Sequence, residues 1–173
     1  MFLLENRSVI EVAGDDRVSF LQGLLTNDIN KASPSNLLYA LMLTPQGRFL
    51  YDFFILEQDS KILLDAPKEY IDEIIKKFSI YKLRSNVTFS ISKKNVYATF
   101  DYNENFLPDP RSEKMGYRII SNHAFESLED FNLYEDIRIK NKIPDAVKDF
   151  IKDKSFPLEY GTDKMHAIDF NKG

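Results

Sequence analysis

A single carboxylate inside an apolar run is the residue of this sequence with the clearest potential for chemistry. Asp52 follows a Pro-Gln-Gly turn in the stretch TPQGRFLYDF, and phenylalanines stand at positions 49, 53 and 54 around it. A carboxylate in such surroundings must be hydrogen-bonded or paired, because burial otherwise raises its pKa. Asp52 is therefore either a ligand-binding or proton-handling acid that faces a cavity, or an outward-facing strand residue. Taken alone, the residues favour the second interpretation.

Two basic side chains form a candidate anion site. Lys82 and Arg84 are two positions apart in YKLRSNV, so on a strand they would share a face and could hold a glutamate or phosphate group. Paired basic residues at the C-terminus of a helix are also favoured by the helix dipole, and this interpretation is slightly better.

The other polar candidates have structural interpretations. Asn27 and Asp28 are turn-forming residues that bond their own backbone. Arg111, in an Asp-Pro-Arg turn, is expected to bond a nearby carbonyl. His166 is expected to be a structural residue whose hydrogen bonds are made within the protein, and not a ligand. The chain has no cysteine and two histidines, which excludes a thiolate metal site, a cysteine nucleophile and a histidine-rich metal centre.

Composition narrows the class of protein further. The 173 residues include 23 basic and 27 acidic side chains, and this net charge of −4 argues against general electrostatic binding to nucleic acid. A hydrophobic content of 43% with 29% charged residues is typical of a soluble globular domain. Neither a membrane-spanning run nor a signal peptide is present in the sequence, so we expect a cytoplasmic protein without membrane partners.

Alternating and periodic apolar residues predict strands and helices in mixed order. The stretch 36–57 is predicted to be a hairpin, because a Pro-Gln-Gly turn divides two apolar runs. Apolar residues at three- and four-residue steps predict helices over 17–29 and 67–83. Because strands and helices do not alternate strictly, the fold class is α+β with a largely antiparallel sheet. The other predicted elements are strands over 8–14, 61–67, 86–92, 95–102, 116–121 and 166–170, and a helix over 127–143.

Five blocks of sequence, taken in order, resemble the YgfZ-type folate-binding proteins, which are relatives of the glycine-cleavage T-protein. The similarity covers nearly the whole chain, and its last two blocks are most similar to the alphaproteobacterial and mitochondrial iron–sulfur assembly branch. The blocks are FLQGLLTNDI, LTPQGRFLYDFFI, YKLRSNV, DPRSEKMGYR and the segment 143–173, which begins IPDAVKDF and ends FNKG.

This resemblance implies a particular domain organisation. Two pseudo-symmetric lobes, 1–92 and a shortened 93–173, would surround a central hole that takes tetrahydrofolate, with helices flanking mostly antiparallel sheets. In the family, a signature Lys-Gly-Cys-x-x-Gly-Gln-Glu and a C-terminal β-barrel follow. Lys172 and Gly173 match the first two residues of that signature. We therefore expect a chain that stops inside the motif, before the reactive cysteine and the barrel.

The resemblance also implies folate-binding residues. Tyr39 matches a tyrosine of the folate pocket, and Tyr51-Asp52 stands where T-proteins carry two consecutive aspartates. Arg84 would hold the anionic tail of the cofactor. Lys140 stands where the family carries a glutamate against the pterin ring, and this replacement puts the affinity for pterin in doubt.

Three functions follow from these expectations. The first is a folate-linked accessory factor for iron–sulfur cluster assembly or repair, with a further link to tRNA modification, inactive as this chain alone; its partners would be the assembly machinery or client enzymes. The alternative is a tetrahydrofolate-dependent aminomethyltransferase, against which Tyr51 and Lys140 both argue. The third is a remnant domain without a binding function, which would expose apolar surface at Phe156, Ile168 and Phe170.

Overall fold

Short strands dominate the architecture of the chain. The computed structural model describes residues 1–126 and 128–172. Its strands are β1 (Phe2–Leu3), β2 (Arg7–Ala13), β3 (Leu38–Leu43), β4 (Phe49–Gln58), β5 (Lys61–Pro67), β6 (Thr88–Ile91), β7 (Asn95–Thr99), β8 (Leu107–Pro108) and β9 (Tyr117–Ser121). Its α-helices are α1 (Arg17–Gln22), α2 (Ile71–Tyr81) and α3 (Phe131–Lys140), and 3-10 turns cover Ile29–Lys31, Lys68–Tyr70, Glu113–Met115 and Pro157–Tyr160.

The strands form two sheets. A five-stranded sheet has the order β3-β4-β5-β2-β6, and a four-stranded sheet has the order β1-β7-β9-β8. Every strand pair among the described residues is antiparallel. The predicted α+β class with antiparallel sheets is therefore confirmed, whereas the two-lobe symmetry and the barrel stay predictions.

Strands β3, β4 and β5 of the five-stranded sheet are buried on both faces, which explains why β4 is a nearly continuous apolar run. Side chains alternate along a strand, so Tyr51 and Phe53 enter one core while Asp52 and Phe54 enter the other. The first core lies against α1 and α2, where Phe20 and other side chains pack. The second core lies between the two sheets, so Asp52 is positioned where they meet.

The second core joins parts of the chain that are distant in sequence. β1 pairs with β7 in the four-stranded sheet, with Phe2 opposite Ala98. The same core contains Tyr39 and Phe54 from the five-stranded sheet and Tyr134 from α3. Residues on both sides of position 92 therefore share one core, and the division into 1–92 and 93–173 stays a prediction.

Two predicted elements differ from those observed. The helix expected over 17–29 ends at Gln22, because the backbone N–H of Thr26 donates to the Leu41 carbonyl at 2.9 Å and so extends the edge of β3. The segment 166–170, which was expected to be a strand, is irregular, and it also contacts Thr26. There the Thr26 hydroxyl donates to the Ala167 carbonyl at 2.6 Å, and Asp169 N–H donates to the Thr26 carbonyl at 3.0 Å. Tertiary hydrogen bonds replace the predicted local pattern in both cases.

The other predicted elements are present, with ends that differ from the predicted ones by at most a few residues. The helix predicted over 67–83 is a 3-10 turn followed by α2, and Ile71, Ile74 and Phe78 on its predicted apolar stripe are buried. The helix predicted over 127–143 is α3. Within the described part of the chain, no helix combines the length and the apolar composition that crossing a bilayer requires.

Gly14 provides a test of this packing. Its φ is +110°, and an added Cβ would lie 2.1 Å from the backbone oxygen of Asn86. We expect Gly14→Ala to lower the free energy of unfolding by about 3 kcal/mol or more, because backbone strain and a backbone clash combine. Gly47→Ala is the matched control, since Gly47 also has a positive φ of +78° but open space around it. Urea unfolding should show a loss of about 1–2 kcal/mol for the control, and equal losses in both variants would contradict the packing explanation.

Candidate functional site

A cluster of buried, oppositely charged side chains lies in the second core. Three arginines meet three aspartates there, and each of the six side chains is at most 7% exposed. Their formal charges cancel, as burial of ionised groups requires. We call this set the ion cluster: Arg7, Asp52, Asp65, Asp109, Arg111 and Arg118.

Asp65 links the two sheets at the centre of the ion cluster. Arg7, at the start of β2, donates from Nε to Asp65 Oδ1 at 2.6 Å, and Arg118, on β9, donates from Nε to Oδ2 at 2.6 Å. Burial by itself raises the pKa of Asp65, but the attraction of Arg118 and Arg7 and their hydrogen bonds outweigh it. The pKa of Asp65 therefore lies below its ordinary value, and the carboxylate stays ionised.

Asp52 has a hydrogen-bond donor on each carboxylate oxygen. Arg7 donates from Nη1 to Oδ1 at 2.7 Å, and the Tyr39 hydroxyl donates to Oδ2 at 3.2 Å. Burial raises the pKa of Tyr39 well above its ordinary value, and the charge of Asp52 adds to that shift. The phenol therefore stays protonated and acts as a donor. Asp52 is a paired acid inside the core, so the expectation of an outward-facing strand residue is wrong.

Arg111 turns back onto the aspartate two residues before it. Its Nε and Nη2 donate to Asp109 Oδ1 and Oδ2 at 3.0 and 2.7 Å, and Nη2 also donates to the Tyr134 hydroxyl at 3.0 Å. This bidentate geometry is the strong form of an arginine–carboxylate pair. The expected partner of Arg111 was a carbonyl, whereas the observed partners are a carboxylate and a phenol.

The aromatic ring of Phe54 lies against all three guanidinium groups of the ion cluster. The guanidinium carbon of Arg118 is 3.6 Å from the ring centroid, that of Arg111 is 4.8 Å away, and that of Arg7 is 5.4 Å away. A desolvated cation over an aromatic face is attracted by the quadrupole of the ring. Sequence reasoning treated Phe54 only as an apolar neighbour of Asp52. The signal that could have identified it is its even-numbered spacing from Asp52, which places both residues on one face of β4.

A second, partly exposed set of charges anchors α3. Arg138 donates to Glu135 Oε1 at 2.9 Å, to Asp149 Oδ2 at 2.7 Å and to the Ile143 carbonyl at 2.6 Å. Lys148 completes the set by pairing with Glu135. Residues 135 and 138 lie on the inner side of the helix, since side chains three apart share a face.

Lys140 does not join either set of charges. It is exposed at the last turn of α3, while Glu135 and Arg138 are buried. The position that the resemblance assigns to a pterin contact therefore lies on the surface of this structure.

Tyr51 lies on the opposite face of β4 from Asp52. Its hydroxyl donates to Glu73 Oε1 at 2.6 Å, and Lys152 pairs with the same carboxylate. Burial raises the pKa of Tyr51, and the hydrogen bond to Glu73 adds to this shift. The structure therefore brings Asp52 together with Tyr39 but not with Tyr51.

Arg84 does not belong to the ion cluster either. It is exposed in the turn that follows α2, beside Asp16 and Ser85. Lys82 lies in the same turn and donates from Nζ to the Val87 carbonyl at 3.0 Å. The placement of this pair on one strand is wrong, and the alternative at the end of a helix is confirmed.

Near the end of the chain, the sequence predicted the start of the signature motif and an exposed apolar surface. Lys172 donates from Nζ to the Leu25 carbonyl, and Gly173 lies outside the described residues. Of the apolar side chains expected at the surface, Phe170 is 73% and Phe156 is 43% exposed, whereas Ile168 is half-buried.

The space beside Asp52 is small. The cavity there measures about 20 Å³, which accommodates about one water molecule, whereas pockets for organic ligands usually measure about 300–1,000 Å³. Both oxygens of Asp52 are already bonded. The small cavity beside Asp52 therefore does not accommodate tetrahydrofolate in this arrangement, and the larger pocket of about 410 Å³ that borders Tyr39 is not lined by Asp52. Among residues 1–126 and 128–172, no group of three or more histidine, aspartate or glutamate side chains is placed to hold a metal ion.

Comparison with known proteins identifies similar sequences. No family model matches the chain. It is 33% identical to the iron-sulfur cluster assembly factor IBA57 homolog, mitochondrial, of Mycosarcoma maydis, in an alignment 198 positions long. This alignment covers 97% of this chain and 49% of that protein. It is 27% identical to the iron-sulfur cluster assembly factor IBA57, mitochondrial, of Mus musculus, over 99% of this chain and 58% of that protein.

Comparison with solved structures identifies a similar fold. The glycine cleavage system aminomethyltransferase T from Bartonella henselae superposes with a TM-score of 0.50 at 16% identity, over 55% of this chain and 27% of that protein. At this identity the likeness concerns the fold alone.

The similar sequences bear on two expectations, the branch of proteins that the chain resembles and its cellular location. The chain is similar over nearly its whole length to proteins of the iron–sulfur assembly branch, and it spans about half the length of the curated relatives it matches. The expected cytoplasmic location is wrong, because these relatives are named as mitochondrial proteins.

Proposed function

We propose that this chain belongs to an iron–sulfur cluster assembly factor of the kind represented by the mitochondrial IBA57 proteins. The observation that carries the proposal is the 33% identity to the Mycosarcoma maydis relative across 97% of the chain. Relatives from mouse and human share the same description. Its partners would be the iron–sulfur assembly machinery or the client enzymes that receive the clusters, and its location would be mitochondrial.

An accessory role is supported by the mutual pairing of the buried charges of this chain. The charges of the ion cluster are mutually satisfied, and the cavity beside it measures about 20 Å³. The 173 residues contain no cysteine, which is the usual iron ligand of protein-bound clusters. We therefore propose that this chain supplies a rigid frame and that activity needs the remaining length of a relative.

A complementation experiment tests this proposal. Cells depleted of their own IBA57 protein would receive this chain alone, or this chain joined to the C-terminal half of the mouse relative. We expect the joined protein to restore the activity of a cluster-dependent mitochondrial enzyme, and the chain alone to restore little. The C-terminal half alone is the control for the contribution of this chain, and a cluster-free mitochondrial enzyme is the control for general damage. A joined protein that folds and is imported but restores nothing would contradict the proposal.

The aminomethyltransferase alternative has less support. The likeness to aminomethyltransferase T is one of fold at 16% identity and carries no reaction with it. Tetrahydrofolate binding at Tyr39 and Asp52 stays a prediction of the resemblance, and the small cavity and the bonded carboxylate both weigh against it. Transfer of a one-carbon unit from an aminomethyl carrier to tetrahydrofolate by this protein would favour the alternative.

A further inference from the structure

Asp52 is already occupied by the side chains of the protein itself. Its carboxylate is 2% exposed, and it accepts hydrogen bonds from Arg7 at 2.7 Å and from Tyr39 at 3.2 Å. An incoming ligand with an N–H group would have to displace one of these donors. Displacing the guanidinium would leave a buried carboxylate without its counter-charge, which is strongly unfavourable.

Arg7 is itself held from several sides. Besides its bond to Asp52, it donates from Nε to Asp65 Oδ1 at 2.6 Å and from Nη2 to the Asp65 carbonyl at 2.8 Å. Its backbone N–H donates to the Leu4 carbonyl at 3.0 Å, and it pairs with Pro67 in the sheet. Burial by itself lowers the pKa of Arg7, but the charges of Asp52 and Asp65 outweigh it and leave the pKa above its ordinary value. The guanidinium therefore stays charged and in place.

The approach to Asp52 is covered by α3 and the segment after it. Glu135, Arg138 and Asp145 line the small cavity together with Arg7. Asn6 reaches Asp145 Oδ2 with its Nδ2 at 3.5 Å. Arg138 on α3 donates to Asp149 and to the Ile143 carbonyl, so the helix and the segment after it are held together. Through the small cavity, a ligand could reach Asp52 only after this segment moved away.

We propose that Arg7 acts as the internal partner of Asp52, so that Asp52 is a structural acid that stabilises the contact between the two sheets and not a ligand for tetrahydrofolate. Through Arg7 the carboxylate is connected to Asp65, and through Asp65 to Arg118 on the other sheet. The charge that an external ligand would neutralise is thus neutralised by the protein. This role of Asp52 goes beyond the proposed function, and it is tested by ligand binding and thermal stability instead of cluster assembly.

Calorimetry and thermal unfolding test the assignment together. Tetrahydrofolate would be titrated into the unmodified protein, Asp52→Asn and Tyr39→Phe. We expect the binding heat, whether zero or not, to be the same in all three. Asp52→Asn should lower the melting temperature by about 10 °C, because it removes one of the two counter-charges of the buried Arg7 guanidinium. Tyr39→Phe removes one donor only, so it should remain folded and keep the binding comparison informative.

A double-mutant cycle identifies the partner. Arg7→Met and Asp52→Asn should each lower the melting temperature, and the double variant should lose much less than the sum, because the two side chains act as a pair. Arg7→Lys should recover only part of the loss, since lysine keeps the charge without the planar fork.

Three outcomes would overturn the assignment. The first is tetrahydrofolate binding to the unmodified protein that Asp52→Asn or Tyr39→Phe weakens. The second is an unchanged melting temperature in Asp52→Asn, and the third is strict additivity in the cycle. Folate binding that both variants leave unchanged would lie elsewhere and agree with the assignment. None of these results depends on cluster assembly, so a failure here and a failure of the proposed function are separate findings.

Discussion

Asp65→Asn is expected to lower the free energy of unfolding by about 3–5 kcal/mol, which is the usual effect of removing one partner from a buried ion pair. Asp65 is completely buried and accepts a hydrogen bond from Arg7 on one oxygen and from Arg118 on the other, each at 2.6 Å. Asparagine has nearly the same shape, so the loss would come from the missing charge and not from a cavity. Urea unfolding followed by circular dichroism measures the difference.

Glu11→Gln is the matched control for this experiment. Glu11 also lies on a strand of the five-stranded sheet and also forms an ion pair, with Lys61 at 2.7 Å, but that pair is partly exposed. Exposed pairs contribute about 0–1 kcal/mol, so the control should change stability little. Equal effects in the two variants would contradict the central role assigned to Asp65.

The same carboxylate predicts how stability depends on pH. The pKa of Asp65 is lower in the folded state than its ordinary value, so the folded protein binds the proton less readily than the unfolded chain. The contribution of Asp65 is therefore complete above the ordinary aspartate pKa of about 4 and is lost as the pH falls below it. Asp65→Asn should show a smaller acid-induced loss than the unmodified protein. A loss of the same size in both proteins would assign the acid sensitivity to other carboxylates.

Phe54→Ala is expected to be the most destabilising substitution, with a loss of about 5 kcal/mol or more. Truncation of a buried phenylalanine usually costs about 3–5 kcal/mol, and here three desolvated guanidinium groups also lose their aromatic partner. A loss of this size is comparable with the total stability of a domain. The milder Phe54→Leu therefore serves as the test, since it keeps the side chain apolar and removes mainly the aromatic face.

Phe53→Leu is the matched control, since Phe53 is the next residue of the same strand and is equally buried. It lies in the first core, where its ring stacks with Phe78 at 6.0 Å. Phe54→Leu should cost at least about 1 kcal/mol more than Phe53→Leu, because a buried cation–π contact exceeds an aromatic pair in strength. Equal losses would mean that the contacts between Phe54 and the arginines add nothing to its hydrophobic burial.

Local sequence patterns were sufficient for much of the fold. The Pro-Gln-Gly turn and its flanking apolar runs predicted the β3–β4 hairpin, and the spacing of Ile71, Ile74 and Phe78 predicted α2. These patterns depend on interactions within a few residues, so they survive in the folded chain. The helix predicted over 17–29 failed because Thr26 exchanges local hydrogen bonds for bonds to Leu41 and Ala167, which are distant in sequence.

The candidate site was predictable in part. The sequence showed that a carboxylate at position 52 needs a partner if it is buried among its phenylalanine neighbours, but the favoured interpretation, an outward-facing residue, was wrong. It could not show that the partners are Arg7 and Tyr39, since Arg7 is 45 residues away. Arg84 was chosen by its spacing from Lys82 and Lys140 by resemblance, and in the structure both are exposed.

By itself, then, the sequence determined the antiparallel α+β class and the main strands and helices. Only the tertiary structure decided which charges pair, because strand order and register place β2, β4, β5 and β9 side by side or face to face. The alternation of side chains along β4 then separates Tyr51 from Asp52, although they are adjacent in sequence. Long-range pairing of this kind depends on the packing of two sheets around one core, and no local pattern contains that information.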